Sequence, residues 1–266
     1  MRHRAKHTAA KASGAAPART AKPGKARLDV LLVEHGLAPS RERAQALLLA
    51  GQVRVNGARA DKPGMQVARD ARLEIAGETP RYVSRGGMKL EGALEDLSVS
   101  PRGKVCLDVG SSTGGFTDCL LQHGASKVYA VDVTIGQLDW KLRRDERVVL
   151  VERNARYLRP EDIPDAAEFV AMDVSFISVT KILPAVAAVA APGADFLILV
   201  KPQFELERRE VGKGGIVRDA ALHRKAIDRV KAGVIEAGLE IVGMQPSRLA
   251  GAEGNQEFFL HARQRA

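Results

Sequence analysis

The sequence predicts two folded units: a small α+β module, then a doubly wound α/β domain whose sheet is mostly parallel. Three observations carry this. From Val105 onward the apolar runs VCLDVG, VYAVDV, VVLVE, FVAMDV and FLILVK alternate with helix-length segments, as strands buried on both faces require. LEIVGMQPSR and EFFLHAR then follow with no helix between them, which predicts an antiparallel pair at one edge and a seventh strand. Upstream, about 50 residues read as two short helices and a curled hairpin, small but large enough to fold.

Composition excludes several classes. With 266 residues, 45% of them hydrophobic and 27% charged, the chain can bury a core. No apolar run approaches the roughly 18–20 residues of a membrane span, and the ten from Ile182 to Ala191 fit a buried helix better. The first twenty residues hold no apolar segment of the secretory type, so a cytoplasmic location is expected. Two cysteines, Cys106 and Cys119, cannot make a disulfide scaffold or a cysteine zinc site; they read as small buried hydrophobes. The histidines are scattered without ligand spacing, so no metal is expected.

The formal net charge is +9, and residues 1–27 hold eight Lys and Arg with no acid. Residues 1–26 are therefore expected to be a disordered basic tail. Such an arm suits nucleic acid first and an anionic membrane second, or else is a passive solvated extension.

Residues 27–79 form the first expected unit. Leu28, Leu31 and Leu32 line one face of a short helix closed by Gly36, and Ser40 caps RERAQALLLAG, which Gly51 ends. VRV, the Asn56-Gly57 turn and further strand material over 67–75 complete a small sheet. The stretch RLDVLLVEHGLAPSRERAQALLLAGQVRVNGARADKPGMQV resembles the S4-like RNA-binding domain across its whole length. That resemblance implies that Arg41, Arg43 and the hairpin face an RNA backbone, with Arg27 beside them. Acids about balance bases over 28–80, so any RNA face is one-sided.

Thr79-Pro80 breaks the pattern; residues 80–84 read as a linker and 85–266 as the second domain. Its helices are expected over 113–123, 179–191 and 220–237. LDVGSSTGGF follows the first strand and opens a helix. Gly110, Gly114 and Gly115 permit a tight turn and close approach of a ligand to the backbone. The spacing is not the dinucleotide G-x-G-x-x-G, and no Lys-Ser/Thr follows as in a phosphate-binding loop. Asp132, 24 residues after Asp108, ends the second strand, where an acid can accept both hydroxyls of a ribose.

This motif is similar to motif I of Rossmann-like S-adenosylmethionine (SAM) methyltransferases, and more narrowly of FtsJ-like 2′-O-methyltransferases. The resemblance implies SAM as cofactor. Asp108, Gly110, Ser111, Gly114, Gly115 and Phe116 would surround its methionine part, and Asp132 with Val133 its ribose. Asn154 and Ala155 would lie beside the adenine, although Asn154 reads equally well as a turn residue.

Four polar residues stand where such a sheet exposes side chains to its crevice: Lys89 in SRGGMKL, Asp173 ending FVAMDV, Lys201 ending FLILVK, and Glu257 opening EFFLHAR. They match the Lys-Asp-Lys-Glu tetrad of the FtsJ-like enzymes. A ribose 2′-hydroxyl must lose its proton as it attacks a sulfonium methyl, and a lysine can take it only below its reference pKa of roughly 10.4. The expectation is Lys201 as base or as the group steering the hydroxyl, Lys89 as its tuning partner, and the two acids as positioners. Arg85 is expected to meet RNA beside Lys89.

The S4-like unit, SRGGMKL, DVGSSTGGF, DVSFIS, KPQFE and KGGIVRD occur in the order found in the TlyA family. Membership implies 2′-O-methylation of cytidine in rRNA within assembled ribosomal subunits, with no membrane and no obligate protein partner. Haemolysin, a label that members often carry, has no pore-forming segment here to support it. A pseudouridine synthase, which also uses S4-like domains, would lack the glycine loop. A non-enzymatic RNA-binding protein with a degenerate methyltransferase domain is the remaining alternative, and the complete tetrad argues against it.

Overall fold

The computed structural model describes residues 24–38, 40–76, 80–251 and 253–265. The basic tail expected over residues 1–26 lies almost wholly outside them. The chain divides into two compact units between Thr79 and Pro80.

In the first unit β1 (Lys25–Arg27) runs into α1 (Leu28–Glu34), and α2 (Arg41–Leu49) follows with Ser40 as its N-cap. The short strands β2 (Val53–Val55), β3 (Ala58–Ala60), β4 (Gln66–Ala68) and β5 (Leu73–Ile75) complete it. They form a β3-β2-β5 sheet and a β1-β4 pair, all antiparallel. Asn56-Gly57 makes the predicted turn, both residues at positive φ. Leu28, Leu31, Leu32, Leu47, Leu48 and Val53 form the core.

Asp29, wholly buried on α1, changes the meaning of two predicted RNA contacts. Arg27 grips it through two hydrogen bonds of 3.0 and 2.9 Å, and Arg41 and Gln45 add bonds of 3.0 and 3.2 Å. The Arg27 guanidinium in particular holds this carboxyl well below the usual carboxylate range. Both arginines thus neutralise a buried charge, which without them would be costly, while about half of each side chain stays exposed (45% and 53%). Arg43 projects from the exposed side of α2 without an ion pair to any described residue.

The second unit starts earlier than 85. Tyr82 is buried in its core and the Val83 amide donates to Asp118 at 2.8 Å, so residues 80–84, expected as a linker, are anchored to this unit. After α3 (Arg85–Asp96) come β6 (Val105–Val109), α4 (Gly115–Gln122), β7 (Lys127–Asp132), α5 (Trp140–Arg143) and β8 (Val148–Glu152). Then follow β9 (Ala167–Met172), α6 (Leu183–Ala187), β10 (Ala190–Val200), α7 (Pro202–Glu205), α8 (Ala220–Glu236), β11 (Leu239–Pro246) and β12 (Phe258–Gln264). The helix expected over 179–191 is shorter than predicted. Pro184 sits in the first turn of α6, and Ala190 already belongs to β10.

The seven strands lie in the order β11-β12-β10-β9-β6-β7-β8. The pairings from β10 to β8 are parallel, and β12 and β11 are antiparallel, as the sequence predicts. From β6 the chain winds outward first to β7 and β8, then back to β9 on the other side. The carboxyl ends of β6 and β9 therefore frame a topological switch point, where a doubly wound sheet opens its ligand crevice.

At the opposite end of the sheet, Asp195 on β10 accepts from Lys104 (2.8 Å), His261 (3.0 Å) and Arg263 (3.0 and 3.1 Å), tying β10 to β12 and to the approach to β6. Burial alone would raise this carboxyl, but the three donors outweigh it and hold it at about 2. Its folded pKa lies below the unfolded value, so its contribution is complete above about pH 4 and is lost as pH falls toward 2. The stability difference between wild type and Asp195→Asn is expected to shrink by about 2 kcal/mol across that window. Urea unfolding followed by Trp140, the single tryptophan and a resident of this unit, measures it; a constant difference from pH 5 to 2 would contradict the staple.

Candidate active site

The loop between β6 and α4 is shaped by what its glycines touch. Gly110 sits at φ +86°, and a Cβ there would come within 2.4 Å of the Asp173 carbonyl oxygen. Gly114 is left-handed as well, with the Leu142 side chain where its Cβ would be. Gly115 opens α4 against the start of α3, where a Cβ would lie 2.2 Å from Ser84 Oγ and 2.9 Å from the Gly87 nitrogen. These glycines allow three backbones to meet around the mouth of the switch point.

The crevice has two lobes that share Gly110, Ser112 and Asp173. The larger, about 450 Å³, is bounded by Asp132, Val133, Asn154 and Ala155 on one side and by Val174, Phe176 and Ile182 on the other. The smaller, about 190 Å³, is polar and cationic, with Ser84, Arg85, Lys89 and Ser111 around it and Phe116 at its wall. Phe116 is backed by Phe259, ring centroids 6.2 Å apart.

Asp132 accepts from the backbone N–H groups of Ser112 (2.9 Å) and Thr134 (3.1 Å), which fixes its carboxylate at the lip of the larger lobe. Asn154 accepts from the Arg156 amide at 3.0 Å and caps a short turn, so it is a turn residue and a lobe-lining residue together. Asp108 differs from expectation. It is fully buried behind the loop and reaches neither lobe; Thr117 Oγ1 donates to it at 2.6 Å, and burial pushes its carboxyl up to about 7. It holds α4 to the end of β6 and lines neither lobe.

The four predicted polar residues are brought together as two ion pairs. Lys201 Nζ lies 2.6 Å from Asp173 and donates to Ser175 Oγ at 2.9 Å. Lys89 Nζ pairs with Glu257 at 2.5 Å. Each lysine thus has its own acid, where the sequence predicted one lysine tuning the other. All four are largely shielded from water: Glu257 is 2% exposed and Lys201 9%.

Two contributors escape a sequence reading. Ser175 fixes the Lys201 amine, although DVSFIS gives no sign that its first serine rather than its second does so. Glu205, buried at the end of α7, accepts from the Val179 amide at 2.9 Å and bonds Ser178 Oγ at 2.5 Å. Burial raises its carboxyl against these bonds. The segment 173–179 is therefore held by both ends of α7, Lys201 before it and Glu205 at its end. Among the described residues no cluster of three or more His, Cys, Asp or Glu could hold a metal, and no helix is long and apolar enough to cross a membrane.

Comparison with known proteins gives a consistent result. The FtsJ-like methyltransferase family matches residues 82–264, and the S4 domain matches 26–73. YqxC of Bacillus subtilis, provisionally named an rRNA methyltransferase, is 52% identical over 89% of this chain and 85% of its own. The 16S/23S rRNA (cytidine-2′-O)-methyltransferase TlyA of Mycobacterium tuberculosis is 46% identical over 90% of each chain. A solved structure of a provisionally named hemolysin from Streptococcus thermophilus superimposes with a TM-score of 0.70 at 44% identity, over 92% of this chain and 90% of that one.

Because both lobes meet at Gly110, that position is the sharpest test of the crevice. Gly110→Ala adds a methyl into the Asp173 carbonyl at a positive φ, a strain of order 1–3 kcal/mol. The expected outcome is a lowered melting temperature together with at least tenfold weaker binding of S-adenosylhomocysteine by calorimetry. Unchanged affinity would show that the loop does not shape the ligand site.

Proposed function

The chain belongs to the FtsJ-like methyltransferase family, carries an S4 domain ahead of the catalytic fold, and is a SAM-dependent methyltransferase; we propose that it methylates the 2′-hydroxyl of cytidine in ribosomal RNA. The observation that carries this reading is the largely shielded Lys201–Asp173 pair, with its amine fixed by Ser175, beside a crevice that suits a nucleoside with an amino-acid tail. Support for the rRNA cytidine as substrate comes from the names of the relatives and from the S4 domain.

The residues fit the cofactor chemically. Asp132 offers a carboxylate to a ribose diol, the apolar walls Val133, Ala155, Val174 and Ile182 suit a planar base, and the cationic lobe with Ser111 suits a charged amino-acid end. When bound, SAM supplies an electrophilic methyl on sulfonium sulfur. The protein's own work is on the acceptor. The Lys201 amine meets the 2′-hydroxyl and accepts its proton, or steers it, while Asp173 and Ser175 keep the amine from rotating away. Lys89, fixed by Glu257, adds positive charge to the polar lobe, where an oxyanion developing on the ribose gains from it.

Lys201→Met retains the aliphatic stem and removes the amine, so the strand end still packs. Methyl transfer to ribosomal subunits is expected to fall about 10²–10⁴-fold in single turnover, with little change in SAM affinity. Near-normal transfer would remove Lys201 from the reaction. Asp132→Ala is expected to act on the other ligand, weakening SAM binding by roughly 1.5–3 kcal/mol through loss of charge-assisted bonds. Calorimetry reads this directly, and unchanged affinity would place the ribose elsewhere.

A further inference from the structure

The segment from Asp173 to Val179 meets Lys201 through its first and third residues and Glu205 through its last two. Between these two fastenings lies Phe176 at φ +65°. A bulky residue in that region is strained, and it relaxes to an ordinary conformation once its surroundings let go. Ser175, its neighbour in the chain, would be carried along, and Ser175 is what fixes the Lys201 amine beside Asp173. The aim of the amine therefore depends on the fastening at the far end.

That end has its own chemistry. Glu205 is 1% exposed, and its two oxygens accept from neutral donors on adjacent residues, Oε1 from the Val179 amide and Oε2 from Ser178 Oγ. Ser178 has a single proton and spends it there, so the Thr180 hydroxyl, 2.8 Å away, donates the next bond of the chain. Arg229 of α8 donates to the main-chain oxygen of Glu205 at 2.8 Å, not to its carboxylate. Among the described residues no Lys or Arg pairs with this carboxylate, in contrast to Asp29, Asp195, Asp173 and Glu257. A buried carboxylate without a cation is costly, and burial raises it. Packing alone would be met by an apolar side chain, which carries no such cost. What a carboxylate adds is a pair of acceptors for two neighbouring donors, which fixes the segment in rotation as well as in position.

We propose that Glu205 is a positioning residue for methyl transfer: by holding Ser178 and Val179 it keeps Asp173 and Ser175 aiming the Lys201 amine. It lines neither lobe of the crevice and acts only through these side chains. The proposal rests on the reading of Lys201 as the amine that meets the acceptor hydroxyl.

The test uses the full-length chain with isotopically labelled lysine ε carbons, and compares Glu205→Met and Glu205→Gln, alone and combined with Lys201→Met. Glu205→Met keeps the length of the side chain and removes both acceptors. Glu205→Gln keeps both bonds, because its oxygen takes the Val179 amide while its NH₂ donates to Ser178 Oγ, whose own proton then turns to Thr180. The Lys201 signal in the NMR spectrum is the one missing from Lys201→Met. It is expected to stand apart from the exposed lysines in wild type and Glu205→Gln, and to move toward them in Glu205→Met. Single-turnover transfer to ribosomal subunits at saturating SAM is expected to fall by about 10–10²-fold in Glu205→Met, with most of the rate restored in Glu205→Gln. In the Lys201→Met background the same Glu205→Met change is expected to cost less than about twofold, since the amine it positions is already gone. A Lys201 signal that stays in place in Glu205→Met would overturn the proposal. So would an equal loss of transfer in both backgrounds, the mark of a merely structural residue. Should Glu205→Met fail to melt cooperatively, Ser178→Ala breaks the same fastening from the other side and is read by the same signal. If the signal moves while wild type methylates no rRNA ribose, Glu205 still positions the amine and the substrate reading fails instead.

Discussion

The second unit depends on one close approach, that of the backbone at Gly110 to the backbone at Asp173. β6 and β9 are adjacent parallel strands whose connections leave in opposite directions, so the loops at their carboxyl ends diverge and open a crevice between them. Each loop has a separate duty, one shaping the cofactor lobe and the other carrying the acid that fixes Lys201. With a side chain at residue 110 the two would be driven apart, and the lobes that share Gly110 and Asp173 would cease to be one crevice. The glycine is thus a spacing constraint between strands more than a source of flexibility.

Most charge that enters the interior does so with an opposite partner: Asp29, Asp195, the Lys201–Asp173 pair and the Lys89–Glu257 pair. Asp108 and Glu205 are held by neutral donors instead, and burial raises both carboxyls. Removing one member strands the other in a medium that solvates it poorly, so single substitutions there reflect a desolvation penalty as well as a lost contact. In the two staples, at Asp29 and Asp195, several donors converge on one carboxylate, a geometry that stabilises and leaves nothing to react. In the two lysine pairs a single acid holds each amine, and Lys201 keeps one position beyond Asp173 and Ser175, an N–H in the ammonium or the lone pair in the free amine. The difference in partner number separates structural from proposed chemical sites more clearly than burial does.

The doubly wound class, the antiparallel edge and the glycine loop were legible because each follows from a local pattern: apolar runs of strand length, a missing helix, glycines at a strand end. The tetrad positions were legible for the same reason, since each charge terminates or opens an apolar run. Pairing was not legible. Nothing in the spacing of Arg27 and Arg41 announces Asp29, because a lone acid on an apolar helix declares its burial only once α2 is packed over it. Asp108 was read as a ligand contact from its place in the glycine motif, and only the depth of β6 shows that Thr117 claims it. Glu205 and Ser175 escaped for the converse reason: their partners are 27 and 26 residues away along the chain, across α6 and β10.

The segment 173–179 joins these threads. Phe176 occupies the left-handed region at φ +65°, a conformation that a bulky residue keeps only when its surroundings over-determine it. They do so from both sides, through Lys201 at one end of α7 and Glu205 at the other. The segment and α7 are consequently fastened together, with the ring of Phe176 set against Phe204 between the two fastenings. This assembly borders the cofactor lobe through Phe176 and Ile177. A ribose hydroxyl brought to it would meet the amine already oriented, which is the economy expected when positioning supplies a large part of the rate.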